Sequence, residues 1–258
     1  MLTVRGLSLG YGGEPVLEGV SLQVKAGEFV SLVGPSGSGK SSVLRAITGL
    51  QKADAGELKV NADAKDIGFL FQDDALLPWR TARGNVALGL KIRGTPKREA
   101  LSLADTWLGR LGLSGFEDRY PRALSGGQRK RVALAQVLAR DPKLLLMDEP
   151  FASLDAIVRR HITGDVLDWV EREQLSVLLV THDLEEAITL SDSVYLLSRG
   201  PRASIRQRYD IPLPRPRDAL NSRTHPAFAG LLRELWAGLE GEVEPNSQAP
   251  TPLTEFAA

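Results

Sequence analysis

Gly34-Pro35-Ser36-Gly37-Ser38-Gly39-Lys40-Ser41 matches the pattern G-x-x-x-x-G-K-[ST] at every fixed position. Glycines at these points let the backbone curl until its N–H groups converge on an anion, and a helix starting at the end of the loop adds a positive pole. In such a loop the lysine holds the β- and γ-phosphates of a nucleotide and the hydroxyl ligates Mg²⁺. Those roles fall to Lys40 and Ser41. The context is the one required, because the apolar run Phe29-Val30-Ser31-Leu32-Val33 precedes the loop and a helical pattern runs from Lys40 to about Leu50.

A second candidate is Asp148-Glu149-Pro150, which follows the apolar run Leu144-Leu145-Leu146-Met147. A buried strand would deliver both carboxylates beside the phosphate loop, Asp148 as a metal ligand and Glu149 as the group that polarises an attacking water. A positioned base is worth about 10²- to 10⁴-fold in rate. The bland alternative is a solvated acidic turn. A third segment, Leu124-Ser125-Gly126-Gly127-Gln128, precedes an almost uniformly apolar helix from Val132 to Ala139. Ser125 and Gly127 therefore sit at a second helix N-terminus able to face an anion.

The elements that must position these residues are those of an α/β protein. Short apolar runs at Leu144–Met147 and Val177–Val180 read as buried parallel strands with function at their C-terminal ends, the latter run leading into Thr181-His182. Val16 to Glu28 reads as a further strand, and short alternating segments from Gly56 to Phe71 suggest more. Pro78 to Arg140 is helical in pattern, with Pro96 suited to a first helical turn and Gly112 to a helix end. The expected fold is a P-loop NTPase core, a mixed sheet with helices on both faces. An N-terminal antiparallel β-subdomain and an inserted helical subdomain at about residues 78–140 complete it.

Leu-Ser-Gly-Gly-Gln is the signature string of the ATP-binding cassette family, which this sequence resembles over about residues 2 to 208. The phosphate loop, Gln72, the signature, Asp148-Glu149, Ser153-Leu154-Asp155 and His182 agree with the family in order. The resemblance implies a head-to-tail homodimer with two ATP molecules between the subunits. Each nucleotide is held by Gly34 to Ser42 of one chain and Ser125, Gly126, Gly127 and Gln128 of the other. It also implies that Ser41, Gln72 and Asp148 serve Mg²⁺, that Gln72 senses the attacking water, that Asp155 couples the two sites and that His182 contacts the γ-phosphate. Tyr11 aligns with the aromatic that stacks on adenine, or is a half-buried turn residue. His161 and His225 lie in no matching motif and read as structural or surface residues. Gln128 to Arg131 is a basic run that reads as a solvated or interface face.

Phe71-Gln72-Asp73-Asp74-Ala75-Leu76-Leu77-Pro78-Trp79-Arg80 looks like the importers of nitrate, sulfonates, taurine and thiamine-precursor pyrimidines, as do Pro150-Phe151 and Leu213-Pro214-Arg215-Pro216-Arg217. The compact segment Gly56 to Gly68, with Asn61-Ala62-Asp63 in place of a glycine turn, departs from many members. Exposed Leu76, Leu77 and Trp79 would form an apolar groove for a partner's helix; alternatively Trp79 belongs to the core of the helical insert. The resemblance implies the ATPase subunit of an importer on the cytoplasmic face of the inner membrane. Its partners would be transmembrane permease subunits and, indirectly, an external solute-binding protein. The alternative is an ABC ATPase driving a non-transport membrane or soluble complex.

Composition narrows the partners. Lys plus Arg and Asp plus Glu number 32 each, so no global positive field draws the chain to nucleic acid. The absence of cysteine excludes disulfides, thiolate zinc sites and a cysteine nucleophile. No apolar run is long enough to span a bilayer, and the first residues carry no secretory pattern. Residues 1–208 are expected to form the ATPase domain. Residues 209–239 form a basic Pro/Arg-rich extension with a short helix, read as solvated or as contacting a partner or anionic lipid heads. Residues 240–258 are expected to be a disordered acidic tail.

Overall fold

Strands β3 (Phe29–Val33), β6 (Leu144–Asp148), β7 (Ser176–Val180) and β8 (Ser193–Leu197) are buried at every residue. A strand without an exposed face needs cover on both sides, which is the physical reason for helices above and below the sheet. In the computed structural model, which describes residues 1–152, 154–218 and 221–241, these strands join β5 (Ile67–Leu70) and β9 (Ile205–Asp210). The sheet has six strands in the order β5-β6-β7-β3-β8-β9. All neighbours are parallel except β9, which runs antiparallel to β8.

A second, antiparallel sheet has the order β2-β1-β4, from β1 (Leu2–Tyr11), β2 (Glu14–Val24) and β4 (Ala55–Val60). On β1 the side chains of Leu2, Val4, Leu7 and Leu9 are buried, and they pack on Val43, Leu44 and Ile47 of helix α1 (Lys40–Ile47). The expected strand from Val16 to Glu28 therefore begins two residues earlier and stops at Val24. A turn at Gly27, with φ of 69°, separates it from β3.

Helices α2 (Ala82–Ile92), α3 (Lys97–Arg110) and α4 (Gly126–Leu138) lie between β5 and β6 in the chain. Their small and aliphatic residues Ala87, Ala104, Leu108 and Leu134 form one core with Met147, Phe151 and Leu179. Thr81 caps α2 by accepting from Gly84 N–H at 3.1 Å. Asn85, fully buried behind it, accepts from Leu77 N–H at 2.7 Å and donates to the carbonyls of Leu77, Arg80 and Thr81. That fixes the turn leading out of Leu77-Pro78-Trp79.

Helices α5 (Ala156–Glu173) and α6 (Leu184–Leu190) pack beside the sheet, and α7 (Phe228–Glu240) lies on α6 with Phe228 and Leu235 buried. The arginines of the extension, and those just before it, are not simply solvated. Arg202 pairs with Glu18, Arg208 with Glu28 and Asp210, and Arg223 with Glu185. Arg215 reaches Asp192 at 2.5 Å and Glu171 at 3.1 Å, while Arg217 is buried against the carbonyls of Ser191 and Ile211. Apart from Asp210, on the same strand as Arg208, the paired acids come from other elements. The expected tail lies outside the described residues from position 242 onward.

Asp192 is the hub of that attachment, since it also accepts from Phe29 N–H at 2.8 Å and so joins the extension to the start of β3. Burial alone would raise its carboxyl, but hydrogen bonds from Arg215 and Phe29 outweigh it and hold the group below the usual carboxylate range. The resulting stabilisation is present above the ordinary carboxylate pKa and lost as pH falls through the folded value. Asp192→Asn should therefore cost about 1–3 kcal/mol at pH 7 by thermal denaturation. The difference from the parent protein should shrink below about pH 4; a gap undiminished at pH 3 would exclude the charge as its source.

Candidate active site

The phosphate loop leaves β3 and enters α1 through Gly39, whose φ is 90°. A Cβ there would also stand 2.7 Å from Val16 Cγ1 and 2.8 Å from Leu17 Cδ2, so both backbone conformation and space demand glycine. Ser42 and Val43 donate their N–H groups to Gly39 O, while the N–H groups ahead of them point out of the helix start and form its positive end. Lys40 follows, buried, with Nζ donating to Gly34 O at 2.8 Å and Pro35 O at 2.9 Å. Burial lowers its pKa, against the pull of Glu149 and Asp148.

Asp148 arrives at the same edge from the end of β6. Ser41 Oγ donates to Asp148 Oδ1 at 2.9 Å, closing a separation of 107 residues. Burial raises the Asp148 carboxyl; the Ser41 hydrogen bond lowers it and the neighbouring Glu149 raises it again. One hydroxyl and one carboxylate are hard oxygen donors that suit a Mg²⁺ retaining phosphate and water ligands, so these residues fit the ion. It would supply charge neutralisation of the phosphates there.

Glu149 takes φ of 43°, a left-handed backbone costly for a residue with a Cβ. Its N–H donates to Val180 O at 2.8 Å, anchoring that turn to the end of β7. Glu149 Oε2 then lies 3.1 Å from His182 Nδ1, which comes from the loop after β7. Lys40, Ser41, Asp148, Glu149 and His182 are thus brought together from three strand ends. Tyr11 joins them at the periphery, its hydroxyl 3.1 Å from Ser42 Oγ and the residue 42% exposed.

The signature residues stand elsewhere. Ser125 caps α4, accepting from Gln128 N–H at 3.3 Å, while Gln128 Oε1 accepts from Ser125 N–H at 2.9 Å. Gln128 is therefore turned back on its own helix rather than outward. Gly127 allows close packing, because a Cβ there would meet Val158 Cγ1 of α5 at 2.5 Å. Asp155 caps α5 by accepting from Ile157 N–H and Val158 N–H; Ser153 lies outside the described residues. Ser125 and Gly126 are exposed, as is Gln72 after β5.

Lys130, Leu76 and Glu186 depart from the sequence expectation or were missed by it, whereas Trp79 is exposed as the groove reading expected. Lys130, read as part of a solvated basic run, is 1% exposed, because its position on α4 points at the β5 loop rather than at solvent. Trp79 is 70% exposed and so is no core residue of the helical insert, whereas Leu76 packs against that core. Glu186, on the first turn of α6, is partly buried beside Thr181, and loss of solvent raises its carboxyl to about 7. Nothing in the local run Asp183-Leu184-Glu185-Glu186 singles this acid out, and only helical phase turns Glu186 partly inward.

Residues 17–152 match the model of a family described as ABC transporter. The chain belongs to the ABC transporter family. It is 47% identical to an aliphatic sulfonates import ATP-binding protein of Paraburkholderia xenovorans over 77% of each chain. With a nitrate import ATP-binding protein of a Synechocystis species it shares 38% identity, over 92% of this chain and 93% of that one. Among solved structures, a dimeric post-hydrolysis ATP-binding cassette bound to ADP and Pi superposes with a TM-score of 0.73 at 32% identity. It covers 82% of this chain and 99% of that one. This ABC chain is an ATP-binding ATPase with the α/β P-loop fold of those cassettes.

Glu186 gives the cassette a distinctive pH dependence. Because its folded pKa of about 7 exceeds the ordinary 4.5, its ionisation opposes folding progressively as pH rises between those values. Glu186→Gln should raise stability by roughly 3 kcal/mol at pH 8 and leave it unchanged near pH 4. Denaturant melts at the two pH values check this, and equal stability at pH 8 would show that the carboxyl is already relieved.

Proposed function

We propose that this ATPase powers an importer, working as a homodimer whose two copies each complete the other's nucleotide site. The observation that carries the reading is the division of the site. Gly34 to Ser42, Asp148, Glu149 and His182 converge at one sheet edge, while Ser125, Gly126 and Gly127 open a different helix of the same chain. Two phosphate-facing helix ends in one chain are accounted for by head-to-tail pairing, and a dimeric structural relative supports it. Lys40 would release Gly34 and Pro35 carbonyls for the β- and γ-phosphates, and Ser41, Asp148 and Gln72 would hold Mg²⁺. Glu149 would orient and deprotonate the attacking water, with His182 holding Glu149 and reaching the γ-phosphate. Tyr11 would stack on adenine, and Asp155 would link the two sites through the start of α5. Gln128 serves by fixing the α4 terminus on which Ser125 is presented.

Permease subunits at the cytoplasmic face of the inner membrane would provide the transport path, fed by an external solute-binding protein. No helix among the described residues is long and apolar enough to cross a membrane. A groove of about 280 Å³ beside the Gln72 loop, lined by Phe71, Ala75, Leu88 and Ile92, gives a permease helix an apolar seat. Trp79, a few residues further along the chain, is also exposed. The importer names of the relatives point to nitrate, sulfonates or a related small solute as cargo.

Glu149→Gln should retain ATP binding while lowering steady-state hydrolysis by at least about 10²-fold. In that background ATP should produce a dimer on size exclusion, and adding Ser125→Arg should abolish it; a persisting dimer peak would place the interface elsewhere. Trp79→Ala should weaken recovery of the permease from detergent extracts by about 10-fold. Nucleotide affinity should be unchanged, and parallel losses in both would reject the docking role.

A further inference from the structure

Lys130 lies in the first turns of α4, five residues beyond Ser125 and so about 7.5 Å along the helix axis. Its Nζ donates to the carbonyls of Phe71 at 3.0 Å and Gln72 at 2.9 Å. The carboxylate nearest to it is Asp74, with Oδ1 at 3.9 Å. The preceding residue adds a second tie, Arg129 Nε donating to Asp74 Oδ2 at 3.1 Å and Nη1 to Leu124 O at 2.9 Å. The main chain of the loop after β5 is therefore clamped to α4, while the Gln72 side chain is exposed and has no hydrogen bond among the described residues.

Burying an ammonium is expensive even with a carboxylate 3.9 Å away, and an apolar residue of similar volume is commonly as stable or more so. Stability therefore does not account for Lys130. Its two bonds do something an apolar residue could not, in that they make the position of residue 72 follow that of the helix carrying Ser125.

We infer that Lys130 is a positioning residue for hydrolysis, holding the Gln72 main chain to α4 so that engagement of Ser125 sets where the Gln72 side chain points. This rests on the roles proposed above for Ser125 and Gln72. A shift of α4 relative to the sheet displaces the loop through the clamp, and Gln72 reaches the nucleotide only when the helix is in place.

The test uses Lys130→Met in the full chain, with Lys130→Gln as the variant that keeps an N–H donor on a shorter, uncharged side chain. Amide exchange over residues 71–76 should quicken by about 10-fold without nucleotide, with peptides from β3 and β6 unchanged. Hydrolysis should fall about 10-fold in kcat, with the affinity for a fluorescent ATP analogue held within about 2-fold. Lys130→Gln should recover part of both losses and supplies the same readouts if Lys130→Met fails to fold. In a Gln72→Ala background, Lys130→Met should cause no further loss of kcat. Unchanged exchange, or losses in kcat that multiply in the double variant, would overturn the inference. A Gln72→Ala protein with full hydrolysis would instead overturn the role of Gln72 itself, and unaltered exchange in Lys130→Met remains the separate sign that the clamp is wrong.

Discussion

Strand β7 lies between β6 and β3, pairing Val177 with both Leu145 and Phe29, and the chemistry of the molecule hangs on that placement. Parallel pairing makes all three strands end at the same edge, so the loops after Val33, Asp148 and Val180 emerge side by side. Closing such separations costs loop entropy, and the burial of uninterrupted apolar strands offsets it. Once β7 is seated, Val180 O accepts the Glu149 N–H and holds a turn that would otherwise be strained.

The edge so formed concentrates charge where water is scarce. Burial drives the Lys40 and Asp148 pKa values toward neutrality from opposite sides, Lys40 downward and Asp148 upward. Their mutual attraction works against both shifts. The Ser41–Asp148 and His182–Glu149 contacts fix orientations within this group without satisfying it completely. Preorganised polar groups in a partly desolvated site are suited to binding a highly charged polyphosphate and to acting on its terminal group.

Helix α4 belongs to neither strand end, yet it is joined to the same edge through Lys130 and the loop after β5. Its cap is self-contained, since Ser125 and Gln128 satisfy each other, and this leaves the exposed N-terminus rigid without using the sheet. The groove beside the loop then makes one short segment adjacent both to the signature helix and to a partly apolar surface.

The phosphate loop, the apolar strand ending in Asp148 and the capped signature helix were all readable from sequence, because each is specified within a window of a few residues. A left-handed glycine, an apolar run or a Ser-x-x-Gln cap carries its own requirement wherever it is found. Lys130, Glu186 and Arg217 were not readable in the same way. Lys130 is buried by carbonyls 58 and 59 residues away, and Arg217 by groups on the β8 approach and the end of β9. A long cation or acid has the same local pattern whether it faces water or a buried acceptor, so only the packing of distant elements decides its environment. Sequence alone determined the local chemistry of the nucleotide site; tertiary structure decided which charges are buried around it, because burial depends on neighbours the local sequence does not contain.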